Sequence, residues 1–227
     1  MIIYYTQMEE ENMLDFDTWL NNWRVFCSLC DRFNNTIKYV DDKLDSNGDY
    51  INGNTFSNEY ASILFLAASE FESIAKQLCS NYDQSFNTQT ATIKNMTETI
   101  LLAFPNIGNA NIDLPHKPIT PLSNWGINQT NNKIVGLNWW DDHNDLKHDR
   151  YTHFYKANLH NCIYALSSLL LLELYMAQEL QNDYDKLPND QRNYLKSPRH
   201  ILFMYPCSYF SFKYIRGLTL LPADQLP

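Results

Sequence analysis

The sequence has few features of an exported protein. Its five cysteines are an odd number, scattered along the chain, and form no disulfide framework, which is typical of a reducing cytoplasm. The stretch MIIYYTQMEEENM lacks the basic region and the small-residue cleavage site of a signal peptide. Cys27 and Cys30 form a lone CxxC within a helical pattern, without a second ligand pair, so we expect no metal or redox site there. These absences predict a cytoplasmic protein.

The sequence also lacks a hydrophobic run long enough to cross a membrane comfortably. The most apolar stretch is CIYALSSLLLLELYMA, residues 162–177. It is roughly three residues shorter than a typical span and contains Glu173. Its composition therefore predicts a buried core helix, and no membrane partner is expected.

Positive charge is scarce. Lysine and arginine number 17 against 26 acidic residues, which gives a formal net charge of −9. This balance excludes a general nucleic-acid coat, because any contact with RNA or DNA would depend on a local basic cluster. The sequence has no glycine-rich phosphate loop, GxSxG elbow or dinucleotide-binding fingerprint. We expect no cofactor.

What the chain does have is helical periodicity. Hydrophobic residues make up 44% of it and aromatic residues 14%, which is enough for a packed core. Asp17 and Ser57 have the chemistry of N-caps before two stretches whose apolar residues recur at three- and four-residue steps. The predicted helices are 18–40, 58–82, 88–104, 137–147 and 155–180. The pattern predicts an all-α bundle of four to five helices, with minor peripheral β structure at the termini.

The regions outside the helices divide the chain. We predict that residues 1–12 form an N-terminal arm or edge strand and that residues 13–180 form the helical bundle. Residues 181–227 are predicted to form a C-terminal extension packed on the bundle. Within the bundle, residues 105–136 contain four prolines and form a long loop, either functional or packed as a cover. The aromatic stretch 201–215 predicts a strand or hairpin that pairs with the N-terminal MIIYYT.

The stretch NWWDDHNDLKHDRYTHF, residues 138–154, concentrates the ionisable side chains. We interpret Trp139 and Trp140 as anchors on the bundle rather than as a platform for stacking bases. The aspartates suit a first helical turn and a solvated face better than a Mg²⁺ site. The five-residue steps between the three histidines rotate each by about 140° on a helix, so no metal site is predicted.

The hexapeptide HNDLKH, residues 143–148, resembles the signature of HEPN domains. Asn144 matches the polar position of that motif and His148 its histidine, while His143 stands where the family has arginine. The flanking order also resembles the family, with SNEYASILFLAASEFESIAK earlier and an apolar helix directly after the motif. The resemblance implies a bundle that forms a homodimer through the motif helices, and catalytic members are metal-independent endoribonucleases of prokaryotic defence and toxin systems.

The resemblance also implies roles for individual residues. His148 would be the general acid or base and Asn144 would orient its partner, with His143 auxiliary. Lys147 and Arg150 would bind the substrate phosphate in place of the missing arginine. Glu72 and Lys76, four residues apart, are either a structural ion pair or a pair that orients the motif histidine from behind.

Two other functions remain open from the sequence. The chain could be a catalytically silent HEPN-like homodimer or subunit that binds a partner protein, which the missing arginine, the acidic balance and the aromatic stretch 201–215 favour. It could also bind a small ligand in a pocket covered by residues 105–136.

Overall fold

Six α-helices make up most of the chain that the computed structural model describes, which is residues 14–182, 187–189, 191–192 and 215–216. They are α1 (Phe16–Ile37), α2 (Asn58–Tyr82), α3 (Ile93–Ala103), α4 (Asn138–His148), α5 (Arg150–His153) and α6 (Leu159–Asn182). Short 3-10 helices cover Ile107–Asn109 and Phe154–Lys156. The strands are β1 (Asn111–Asp113), β2 (Pro118–Ile119), β3 (Gly126–Ile127), β4 (Ile134–Val135) and β5 (Ile215–Arg216). A mostly helical fold with small strands is therefore confirmed.

Helix α6 is the centre of the bundle. Its residues are apolar on almost every side, and α1 and α2 both pack along it. Leu159–Gln181 is the one described helix long and apolar enough to cross a membrane, but 89% of its apolar window is buried inside the protein. This burial is what the core helix of a bundle shows, and it agrees with the prediction for residues 162–177.

The helix starts follow from side-chain caps. Ser57 caps α2 as predicted, since its hydroxyl accepts a hydrogen bond from the Tyr60 N–H at 3.0 Å. The cap of α1 is Asp15 rather than Asp17: Asp15 accepts from the Thr18 N–H at 2.8 Å, and Asp17 lies in the first turn. Helix α3 starts later than predicted because Thr92 and Asn95 form a capping box there.

The segment 105–136 is a structured cover rather than an irregular loop. It contains a 3-10 helix and strands β1 to β4, and it buries Leu122 and Trp125. The Trp125 indole N–H donates to the Thr97 hydroxyl of α3 at 3.0 Å, and its ring lies 5.8 Å from Phe71 of α2. The segment is therefore packed as a cover over the bundle.

Among the described residues, strands β1 to β4 lie in this segment and β5 lies in the C-terminal extension, where minor β structure is predicted. Strand β1 pairs antiparallel with β2 and with β5, and β3 pairs antiparallel with β4. The predicted N-terminal arm lies outside the described residues, as does most of the extension 181–227. Its described strand β5 pairs with β1, in the register Asn111 opposite Arg216.

The chain turns twice between α4 and α6. Asp149 ends α4 and caps the short α5, because its carboxylate accepts from the Thr152 N–H at 3.1 Å. A 3-10 turn follows, so the last long helix starts at Leu159 and not at Tyr155 as predicted. The Asn158 side chain accepts from the Asn161 N–H at 2.9 Å and fixes this start.

Candidate active site on helix α4

The two tryptophans of α4 anchor it on the bundle. Trp139 is 2% exposed, and its indole N–H donates to the Ser168 hydroxyl of α6 at 3.1 Å. Trp139 and Trp140 both pack against Phe71 of α2, with ring centroids 5.2 and 5.9 Å away. The anchoring role predicted for this pair is confirmed, and it determines which side of α4 faces solvent.

His143 lies on the buried side of α4. It is 7% exposed, and its ring packs against Phe65 at 5.4 Å and Trp140 at 5.5 Å. Its Nδ1 has no hydrogen-bond partner. Burial, with a smaller contribution from the charge of Lys147, lowers the pKa of His143 to about 4. His143 is therefore a neutral residue of the core at pH 7, in the position where the motif has arginine.

Asn144, Lys147 and His148 lie on the outward side of the same helix. Lys147 and His148 are exposed and Asn144 is half-buried. Among the described residues, none of these three side chains forms a hydrogen bond or ion pair. Three groups that can donate or accept hydrogen bonds are therefore left available to a ligand at the C-terminal half of α4.

Arg150 lies at the same end of α4 but is partly engaged. Its Nη2 donates to the Asn58 side-chain oxygen, at the start of α2, at 2.8 Å. Its guanidinium lies over the Phe154 ring, 5.2 Å from the centroid. A guanidinium has five N–H donors, so this arrangement orients Arg150 and leaves donors for a phosphate.

Glu72 and Lys76 form an ion pair on α2, with 2.6 Å between Lys76 Nζ and Glu72 Oε1. Both side chains are partly exposed, at 40% and 27%. The charge of Glu72 raises the pKa of His143 against the effect of burial, so Glu72 faces the buried histidine of the motif. If this ion pair supports a residue of the motif, that residue is therefore His143.

An ion cluster that the sequence did not predict holds α4 through Asp142 and Asp145. Lys156 Nζ lies 2.7 Å from a carboxylate oxygen of Asp142 and 2.5 Å from one of Asp145. Asn161 donates to Asp142 at 2.8 Å and to the Lys156 carbonyl at 2.9 Å. The described residues contain no group of three or more side chains suited to hold a metal ion. These aspartates tie α4 to the start of α6.

No family model, curated protein or solved structure matches the chain. The resemblance to HEPN domains therefore rests on residues 143–148 and on the order of the helices around them. The function of this site is therefore inferred from the chemistry of its own side chains.

Proposed function

We propose that the protein is a HEPN-like, metal-independent endoribonuclease, acting on RNA or a nucleotide through the outward side of α4. The observation that carries the proposal is that Asn144, Lys147 and His148 share this side without hydrogen bonds to any described residue, while Arg150 lies two residues beyond. Together they supply an imidazole, an amide and two cations.

These groups suit RNA cleavage by internal attack. His148 would remove the proton of the ribose 2′-hydroxyl, whose oxygen then attacks the phosphorus. The bond from phosphorus to the 5′-oxygen breaks, and that oxygen takes a proton from a general acid. Lys147 and Arg150 would stabilise the charge on the phosphate oxygens, and Asn144 would orient the histidine or the ribose. The products are a 2′,3′-cyclic phosphate and a 5′-hydroxyl.

A homodimer would complete the site. The reaction needs one group to accept a proton and another to donate one, whereas α4 exposes His148 and buries His143. A second copy facing α4 would supply its own His148 as the second group. Exposed aromatic residues near Arg150 support such an interface: Tyr151 is 99% exposed, and Phe56 is 49% exposed beside Phe154.

Purified protein incubated with total RNA in EDTA tests the proposal. Wild-type protein should cleave, and His148→Ala should lower the rate by at least about a hundredfold. Lys147→Ala should weaken cleavage and its dependence on salt concentration. His160→Ala, which changes a histidine on α6 outside the proposed site, is the matched control and should cleave as wild type does. Absence of cleavage by the wild type would remove the enzymatic proposal.

A catalytically silent homodimer or subunit is the second candidate. The burial of His143 at the arginine position and the net charge of −9 favour it, because both reduce the affinity for phosphate. Expression in a bacterial host separates the two. An active ribonuclease should arrest growth and His148→Ala should relieve the arrest, whereas a silent module should leave growth unchanged with either form.

A further inference from the structure

A second site lies at the opposite end of α4 from His148. A cavity of about 380 Å³ opens between the segment that precedes α4 and the first turns of α4 and α6. Asn124, Asn138 and Trp139 line one side, and His160, Asn161 and Tyr164 line the other. Its volume lies within the range of cavities that bind small molecules.

The cavity contains a fixed hydrogen-bond acceptor. Asn161 is 3% exposed, and its amide nitrogen donates to both Asp142 and the Lys156 carbonyl. These two bonds determine which end of the amide is oxygen. Among the described residues, the side-chain oxygen of Asn161 accepts no hydrogen bond, although the residue lines the cavity. Because Asn161 lines the cavity, this oxygen is available to accept a hydrogen bond from a bound molecule.

Two backbone donors belong to residues that line the same cavity, Asn138 and Trp139. Helix α4 has no side-chain cap, because its N-cap residue is Leu137. Within the described chain, the N–H groups of Asn138 and Trp139 donate no hydrogen bond, whereas those of Trp140 and Asp141 bond to the Leu137 carbonyl. The cavity therefore offers hydrogen-bond donors and an acceptor. A hydroxyl group can accept a hydrogen bond from such a donor and donate one to such an acceptor.

A flat aromatic surface completes the site. The rings of His160 and Tyr164 stack with centroids 4.6 Å apart and an interplanar angle of 28°. Burial lowers the pKa of His160, Lys117 lowers it further, and burial raises the pKa of Tyr164. Both rings are therefore uncharged at pH 7 and suited to pack against the apolar face of a ring.

Charge near the cavity disfavours an anionic ligand. Asp49 and Asp142 are close enough to His160 to oppose the lowering of its pKa. Lys117, the cation on this side, donates to the Gly48 carbonyl at 2.7 Å and lies over the Tyr50 ring. Lys156 is itself paired with Asp142, and Lys117 is engaged by Gly48 and Tyr50, so these two cations are already occupied and an uncharged ligand suits the cavity better than a phosphate.

We propose that this cavity binds an uncharged, hydroxyl-bearing ring compound of the size of a nucleoside or a disaccharide. One ring face would pack on His160, and a hydroxyl or N–H would donate to the Asn161 oxygen. Other ring substituents would accept from the N–H groups of Asn138 and Trp139. This site uses none of the residues proposed for RNA cleavage.

Calorimetric titration of the full chain tests the proposal, with nucleosides and disaccharides as separate probes and their phosphorylated forms as comparisons. We expect one of the two classes to bind with a Kd between micromolar and low millimolar, and its phosphorylated form to bind at least about tenfold more weakly. His160→Ala should weaken binding by about tenfold or more. Ser123→Trp changes an exposed residue of the lining and should block the cavity without lowering the Tm.

Glu98→Gln changes an exposed residue of α3 that is not part of the lining, so it is the matched control and should bind the probe as the wild type does. Because the cavity contains none of the residues proposed for RNA cleavage, failure of binding here and failure of the ribonuclease proposal remain distinguishable. Three results would overturn the inference. One is no binding of any probe up to about 10 mM. The second is binding that Ser123→Trp leaves unchanged. The third is equal or tighter binding of the phosphorylated form, which would identify an anion site instead.

Discussion

His143 and His148 lie five residues apart on α4 and face opposite environments. His143 is 7% exposed between Phe65 and Trp140, whereas His148 is exposed to solvent. Five helical residues correspond to a rotation of about 140°, so the tryptophan anchors that bury one histidine leave the other outside. The hexapeptide that resembles a HEPN motif thus contributes one residue to the core and one to the surface.

The buried histidine should make the protein sensitive to acid. The pKa of His143 is about 4 in the folded chain, against about 6.5 when unfolded. Because the unfolded chain binds the proton more readily, stability is lost as pH falls from about 6.5 towards 4, by up to roughly 3 kcal/mol. Urea unfolding of wild type and His143→Phe across this range measures it. The variant should lose less stability than wild type, while His148→Ala should follow wild type. Parallel curves for wild type and His143→Phe would contradict the assignment.

Glu173 should make the protein less stable as pH rises, which is the opposite of the effect of His143. It is fully buried in α6, neither carboxylate oxygen has a hydrogen-bond partner, and burial raises its pKa well above the usual range, with a smaller effect of Glu70. The folded chain therefore keeps a proton that the unfolded chain releases, and stability falls as pH rises above about 4.3. Glu173→Gln should remove this loss, so its advantage over wild type grows from pH 4 to pH 7. The exposed Glu98→Gln is the control, and an advantage that does not change with pH would be the contrary result.

Lys156 should matter more to stability than other lysines with ion pairs. Its side chain is 17% exposed and is shared between Asp142 and Asp145 across the junction of α4 and α6. Lys156→Met leaves two carboxylates without their cation, and we expect a loss of about 1–2 kcal/mol in the free energy of unfolding. The matched control is Lys43→Met, because the Lys43–Asp41 pair is exposed and its loss should not be measurable. Equal effects of the two substitutions would show that the cluster is not structural.

Gly136, in the segment that covers the bundle, can be compared with Gly48 for the cost of a substitution by alanine. Both have a positive φ, of 80° and 83°. A Cβ at Gly136 would lie 2.4 Å from the Asn124 backbone, whereas at Gly48 it would meet nothing within 4 Å. Gly48→Ala should therefore cost only the backbone strain, about 1–2 kcal/mol. Gly136→Ala should cost clearly more and displace the loop beside the α4 N-terminus. Thermal unfolding of both variants checks the order, and a smaller loss for Gly136→Ala would refute it.

Much of the helical fold could be predicted from the sequence, because apolar spacing and caps act locally. Ser57 and the apolar run of α6 identified their helices directly. Asp15 and Asp17 have the same capping chemistry, so the start of α1 depended on which carboxylate reaches a free N–H. The pairing of β1 with β5 joins residues about a hundred positions apart, and strands of two or three residues leave no periodic pattern to detect.

The site was only partly predictable. Helical spacing puts Trp140 on the same face as Asn144 and His148, whereas the structure buries Trp140 and leaves His148 exposed. The position of His143, four residues after Trp139, agrees with its burial and conflicts with the role that the resemblance to the motif implies. The positions of Lys156 and Asn161 could not be predicted, because the turns at α5 and the following 3-10 helix decide which residues return to α4.

The most direct test of the proposed function is the cleavage of a defined oligoribonucleotide in EDTA, with analysis of the new ends. We expect 2′,3′-cyclic phosphate and 5′-hydroxyl ends from wild type, no cleavage of the matching oligodeoxyribonucleotide, and a rate at least about a hundredfold lower for His148→Ala. No cleavage by wild type, or equal cleavage by folded His148→Ala, would contradict it.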